Sequence, residues 1–263
     1  MHNFAYHIPK TIAEAAELAA SLEKPEFLAG GQSLLPTMKD RVSAPSDLVK
    51  LSGLLPKKVE TNNNKIVIGA GITHAELAEH PEIKAHLPSL IGLAALVGDP
   101  QVRNRGTLGG SLAANVPAGD YQAACWALDA EIHTQVRVIC TQEFFTGAGT
   151  SALEKGEIIT AVAFSKTSKA HFKKISDPAA RSPLVGVFVA ALPDGPRVSV
   201  SGARPTGAYR HEAAECALAK DFSAAAVANI ETPEAEMMSS LYADKRYRAH
   251  LVNTLIRQVV GAC

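Results

Sequence analysis

Two glycine pairs, each followed by a hydroxyl side chain, are the residues best suited to chemistry in this chain. They are Ala29-Gly30-Gly31-Gln32-Ser33, continued by Leu34-Leu35-Pro36, and Thr107-Leu108-Gly109-Gly110-Ser111. Glycine lacks a Cβ, so neighbouring backbone N–H groups can turn toward a ligand and approach it closely. Successive N–H groups in such a loop form a concave anion site. Two loops with hydroxyls at Ser33, Thr107 and Ser111 suit the two phosphates of a pyrophosphate. Asp120, downstream of the second loop, suits hydrogen bonds from ribityl or ribose hydroxyls. Neither loop has the Gly-x-Gly-x-x-Gly spacing, and the Walker lysine is absent. Read alone, each glycine pair is more plainly a tight turn. Arg103 and Arg105 lead into the second loop. Either could steady a phosphate, and Arg103 could equally pair with a carboxylate to fix the loop.

The remaining reactive side chains form no pattern. Cys125, Cys140, Cys216 and Cys263 are scattered, with no Cys-x-x-Cys pair, whereas zinc and iron–sulfur sites usually need closely spaced thiolates. His7, His74, His133, His171, His211 and His250 show no paired metal spacing. Asp40, Asp129 and Glu143 suggest no acid–base arrangement. Trp126 reads as core and Lys173-Lys174 as a solvated pair. No metal ligand and no catalytic side chain is expected here.

The elements around these residues suggest mixed α and β structure. Thr11 and Glu14 fit a capping box, ahead of apolar residues at helical spacing that end at Pro25. Phe27 to Ala29 and Leu48 to Leu51 read as short strands, so the first fifty residues form a small β-α-β unit. A turn over Thr61-Asn62-Asn63-Asn64 precedes a strand from Ile66 that ends in glycine. Thr73 and Glu76 fit a second capping box, Pro81 stops that helix or starts another, and Ser89 to Val97 reads as apolar helix. The chain from Arg105 to Ser111 reads as loop, and Tyr121 to Ala130 as helix. Beyond it, residues 131–133 and 136–139 suit a hairpin, and 157–164 alternate like a half-buried strand. Residues 184–190 and 197–201 suit strands joined by a turn at Pro193-Asp194-Gly195. Helices are expected at 213–219, 223–230 and 247–260. A weak boundary falls near 165–168.

Size and charge narrow the class. The chain has 263 residues, 47% hydrophobic and 20% charged, with 26 basic and 26 acidic side chains. That length supports a sizeable core in one or two domains. Zero net charge gives no footprint for nucleic acid. No apolar run is long enough to span a bilayer, the start Met1-His2-Asn3-Phe4 lacks an export signal, and a cytoplasmic address is expected.

Read with its flanks, the stretch from Gly98 to Ser111 (GDPQVRNRGTLGGS) resembles the second FAD-binding motif of the medium subunit of molybdenum hydroxylases. Ala29 to Pro36 (AGGQSLLP) resembles the first. The family includes the flavin subunit of aerobic carbon monoxide dehydrogenase and the flavin domain of xanthine dehydrogenase. The resemblance continues through Glu157-Ile158-Ile159, residues 183–187, 202–206 and 247–251, so it covers most of the chain. It implies a two-part FAD-binding domain of the vanillyl-alcohol-oxidase type over 1–167, divided as 1–56 and 57–167. A smaller α+β domain over 168–263 would follow. Ala29, Gly30, Gly31, Gln32 and Ser33, with Thr107, Leu108, Gly109, Gly110 and Ser111, would embrace the pyrophosphate. Asp120 would bind ribityl or nearby hydroxyls, and Leu34, Ile159 and Lys174 would lie along the flavin. The chain would pass electrons from iron–sulfur clusters on a small partner subunit through FAD to an external acceptor. A large partner subunit would hold the molybdenum cofactor, in a dimer of heterotrimers. A self-contained flavin reductase or oxidase of the same fold is the alternative. The sequence departs from the family at three places. The segment from Glu131 to Phe145 is short, Phe172 stands where many members have Tyr, and Ser111 stands where many have Asn.

Overall fold

A computed structural model describes residues 1–62 and 64–263. The chain opens with β1 (Ala5–His7), α1 (Ile12–Ser21), β2 (Pro25–Leu28), α2 (Leu34–Lys39) and β3 (Asp47–Lys50). The three strands are parallel, in the order β1-β3-β2. Thr11 caps α1 by accepting the Glu14 N–H. The Glu14 carboxylate reaches past Thr11 to the Lys10 N–H at 2.7 Å, so only half of the expected capping box forms. Ala15 and Ala19 bury one face of α1 against Val49, Leu51 and Ile158. Helix α2, where no element was expected, carries Pro36 at its third position. Proline is tolerated there because first-turn N–H groups have no intrahelical acceptor.

The middle unit runs β4 (Val59–Thr61), β5 (Lys65–Gly69), α3 (His74–Glu79), α4 (Pro81–His86), α5 (Pro88–Ala95), α6 (Pro100–Arg105), α7 (Leu108–Ala114) and α8 (Asp120–Ala127). It continues with β6 (Glu131–Thr134), β7 (Val138–Cys140), α9 (Thr141–Phe144), β8 (Phe145–Gly147), β9 (Thr150–Ser151) and β10 (Ile159–Ser165). Its main sheet is antiparallel throughout, in the order β4-β5-β10-β6-β7. Asn62 Oδ1 accepts the N–H groups of Asn64 and Lys65 and so makes the turn before β5; Asn63, part of that expected turn, lies outside the described residues. Thr73 and Glu76 form a full capping box at α3. Helices α4, α5 and α6 each begin with proline, whose fixed φ suits a first helical residue. The expected hairpin is β6–β7.

The last unit holds β11 (Ala170–Ser176), β12 (Pro183–Leu192), β13 (Gly195–Ser201), β14 (Tyr209–Arg210), α10 (Glu212–Leu218) and α11 (Lys245–Val260). Its antiparallel sheet has the order β11-β12-β13-β14. Sequence reading missed β11 because its polarity is inverted: Lys174 is buried while Ile175 is exposed. The helix expected at 223–230 is instead a series of turns. Phe222, Val227 and Ile230 pack there on the core of the last unit, a spacing that makes no helical stripe. Arg248 of α11 is buried and donates to the carbonyls of Leu184 and Gly202 and to Ser240 Oγ.

The largest core does not respect the boundary near 165–168. It runs from Ile66 and Ile68 of β5 through α8 to Phe172, Phe188, Ala190 and Leu192 of the last sheet. Helix α8 is the hinge pin of this packing. All its residues are buried except Trp126, expected in the core but half-buried against Phe145. Ser199 Oγ of β13 donates to the Ala123 carbonyl at 2.5 Å, which ties the last sheet to α8.

Candidate cofactor-binding cleft

The first glycine segment is the short bridge between β2 and α2. Gly31 has φ +75°, a left-handed conformation that a side chain disfavours. Leu35 N–H bonds back to the Gly31 carbonyl, and Gln32 Nε2 donates to the Gly30 carbonyl at 3.2 Å. Among the described residues, the backbone N–H groups of Gly30, Gly31, Gln32, Ser33 and Leu34 have no acceptor. Five consecutive donors without an acceptor in one short loop are the kind of group an anion site is built from.

The second segment differs from expectation. Residues 108–114 are helix α7, not loop, and Thr107 is its N-cap, accepting the Gly110 N–H at 3.2 Å. The N–H groups of Leu108, Gly109 and Ser111 bond to the carbonyls of Ile72, Ala70 and Thr107. These four donors are therefore engaged inside the chain. The glycines here serve close packing: a Cβ on Gly109 would lie 2.7 Å from the Ala70 Cβ. Beneath this segment the His74 N–H bonds the Gly106 carbonyl, and its buried ring lies 3.0 Å from the Tyr121 hydroxyl. Burial, with Arg103 nearby, pulls the His74 pKa down to about 4, so the ring is neutral.

The two segments meet. A Cβ on Gly30 would lie 2.0 Å from the Arg105 carbonyl oxygen and 2.9 Å from Gly106 Cα. Ala29 Cβ is 4.0 Å from the Cβ position of Gly110. Beside this contact lies a cleft of about 220 Å³, lined by Ala29, Gly30 and Thr107 from the two motifs. Leu51, Ser52, Gly53 and Leu55 form another wall, with Lys57, Gly71 and Thr73 adjacent. Asn104 and Arg105 complete it. A space smaller than the ~300–1,000 Å³ that encloses a drug-sized ligand accommodates part of a dinucleotide. The segment after β3 was not singled out in the sequence. Ser52-Gly53 carries no phosphate-loop spacing, so only the fold brings it to the cleft.

The other expected residues lie elsewhere. Asp120, Ile159 and Lys174 do not line this cleft. Asp120 and Lys174, assigned separate stations on a ligand, are paired with each other. Lys174 Nζ lies 2.9 and 3.1 Å from the two carboxylate oxygens and donates also to the Arg181 carbonyl at 2.9 Å. Burial pushes the Asp120 pKa up to about 6, with the Lys174 ammonium pulling the other way. Lys174 is thus not the solvated half of a Lys-Lys pair. Ile159 is a core residue of β10, and Leu34 is half-buried at the start of α2. Arg103 takes neither of its two expected partners: its guanidinium donates to the carbonyls of Val97 and Gly98. Among the described residues no group of three or more His, Cys, Asp or Glu could hold a metal ion. No helix among them is long and apolar enough to cross a membrane.

Residues 2–166 match the family described as the FAD binding domain in molybdopterin dehydrogenase. The chain belongs to this family. The medium chain of carbon monoxide dehydrogenase from Hydrogenophaga pseudoflava is 29% identical over 276 aligned residues, covering 98% of this chain and 96% of that protein. The xanthine dehydrogenase FAD-binding subunit of Escherichia coli O157:H7 is 28% identical and covers 99% and 96%. The fold agrees. A solved carbon monoxide dehydrogenase from H. pseudoflava, lacking the Mo-pyranopterin moiety of its cofactor, superposes with a TM-score of 0.87 at 29% identity, over 98% of this chain and 96% of that one. The FAD-binding domain of molybdopterin dehydrogenases therefore accounts for the first two units, and the likeness to these relatives extends through the third.

Proposed function

We propose that the cleft between the first two units holds the diphosphate part of FAD. The chain then works as the FAD-carrying electron-transfer subunit of a molybdenum hydroxylase. The carrying observation is the loop from Gly30 to Leu34, whose five N–H groups take no acceptor among the described residues and whose Gly30 packs on the backbone of the second motif. The residues fit the group: an anion needs donors that approach without side-chain hindrance, and this loop supplies them. Ala29 to Ser33 and Thr107 bind the diphosphate. Leu108, Gly109, Gly110 and Ser111 support it as the first turn of α7. The stations of Asp120, Lys174, Leu34 and Ile159 along the ribityl chain and the ring remain part of this reading, though none of the four lines the cleft itself. Bound FAD supplies electron exchange between iron–sulfur clusters on a small partner subunit and an external acceptor. The protein contributes binding, orientation and electrostatics, and no side chain of this chain is assigned a proton or a nucleophile.

The assembly we propose has a large subunit with the molybdenum cofactor and a small one with 2Fe–2S clusters, as a dimer of heterotrimers in the cytoplasm. The names of the relatives, a medium chain and an FAD-binding subunit, support a subunit role over a self-contained reductase. Residues 1–56, 57–167 and 168–263 are the divisions this reading assigns. The test is Gly30→Val. The added side chain collides with the Arg105 carbonyl and should part the two motifs. Flavin released from the purified variant should fall to a small fraction of the wild-type amount; wild-type flavin content in the variant would remove the diphosphate from this place.

A further inference from the structure

Two basic residues, Lys57 and Arg105, line the cleft, and they are not equivalent. The Lys57 ammonium lies 2.7 Å from the Glu76 carboxylate. It is neutralised by a partner that the α3 capping box already holds in place. Arg105, an exposed residue, lines the same cleft and takes part in no ion pair among the described residues. No acidic side chain lines the cleft. Arg103, two residues earlier, shows the contrast: its guanidinium donates through Nη1 to the carbonyls of Val97 and Gly98.

The backbone that carries Arg105 is fixed from both sides. Its carbonyl sits against Gly30, where even a Cβ has no room. The next residue, Gly106, is held by its N–H to Val102 and by its carbonyl to His74. An arginine at the C-terminus of a helix is favoured by the helix dipole wherever it points. Here it also lines the cleft, beside the loop with the free N–H groups. We propose that Arg105 is the countercharge for the cofactor diphosphate, and that the two motifs divide the work. The first supplies uncharged backbone donors. The second, whose N–H groups from Leu108 to Ser111 are engaged inside the chain, supplies the positive charge. This inference rests on the FAD reading above and adds to it a residue that sets preference for the phosphorylated ligand.

The test uses the full chain stripped of flavin and titrated with FAD, and with riboflavin, which has no phosphate, at low and high salt. Arg105→Gln should weaken FAD binding by roughly tenfold or more, the scale of a lost charge-assisted hydrogen bond. It should also flatten the salt dependence and leave riboflavin binding and the melting temperature of the flavin-free chain unchanged. Arg105→Lys, which keeps the charge, should restore part of the affinity. Equal FAD affinity and equal salt dependence in wild type and Arg105→Gln would overturn the proposal. So would an equal loss of riboflavin binding, which would mark a general distortion of the site. A wild-type chain that binds no FAD would instead bring down the site reading on which the proposal rests.

Discussion

Glu157 shows how one side chain can fix a stretch of backbone. Its carboxylate accepts from Arg137 Nε and Nη2, both at 2.8 Å, from Thr134 Oγ1 at 2.9 Å, and from the Glu154 N–H at 2.8 Å. The Arg137 hydrogen bonds, opposed by burial and aided by Glu154 and Thr134, hold its pKa down at about 2 against an ordinary 4.5. Below the ordinary value the unfolded chain binds the proton first. The carboxylate's stabilisation is therefore complete above pH ~4.5 and is lost as pH falls toward about 2. Glu157→Gln should flatten that acid limb in denaturant titrations across pH. At neutral pH it should cost ~1.5–3 kcal/mol, the range for hydrogen bonds to a charged group. An unchanged acid limb would show that the Arg137 contact does not hold the carboxylate ionised. Sequence showed Glu157 only as the start of a strand, because its partners lie 20 and 23 positions away. The Thr73–Glu76 box was legible, since both partners fall within one helical turn. The Asp120–Lys174 pairing was not, being 54 positions apart in sequence.

At the scale of elements, the revealing case is α7. Gly109 and Gly110 have low helix propensity, which is why the segment read as loop. Tertiary packing on Ala70 and capping by Thr107 override that preference. Thr107→Ala should therefore cost ~1 kcal/mol of stability through the lost cap and reduce FAD retention, while Thr107→Ser should do neither. Matched thermal melts and flavin assays on the two variants check this; Thr107→Ala with wild-type stability would mean that packing alone holds the helix. Helix α5 and the β12–β13 hairpin were legible from local signals, whereas α6 was not read. Strand β11 was hidden because Lys174 points into the protein to meet Asp120 and Ile175 points out.

Across the whole molecule, the Asp120–Lys174 pair joins the middle unit to the last one through α8 and β11. Burial raises the folded-state pKa of Asp120 above its ordinary 3.8. For a carboxyl raised in this way, stability is present below the ordinary pKa and is lost as pH rises through the folded value. Lys174 opposes this by favouring the charged form. Lys174→Met should therefore destabilise by ~3 kcal/mol at neutral pH, with a smaller loss near pH ~5, where Asp120 can take a proton. A loss independent of pH would mean that packing, not charge, is at stake. The shared core also predicts one cooperative unfolding transition for the middle and last units. The fold class and the two motifs were readable from the chain. The continuity of the core was not, since Phe172 and Phe188 reach α8 only through the tertiary fold.

The central claim is a non-covalent FAD site in this chain. It is tested most directly by purifying the chain together with its coexpressed partner subunits, denaturing the complex, and identifying the released flavin by chromatography and visible absorption. The account predicts FAD in a one-to-one ratio with this chain. A complex that releases no flavin, even after incubation with FAD, would contradict it.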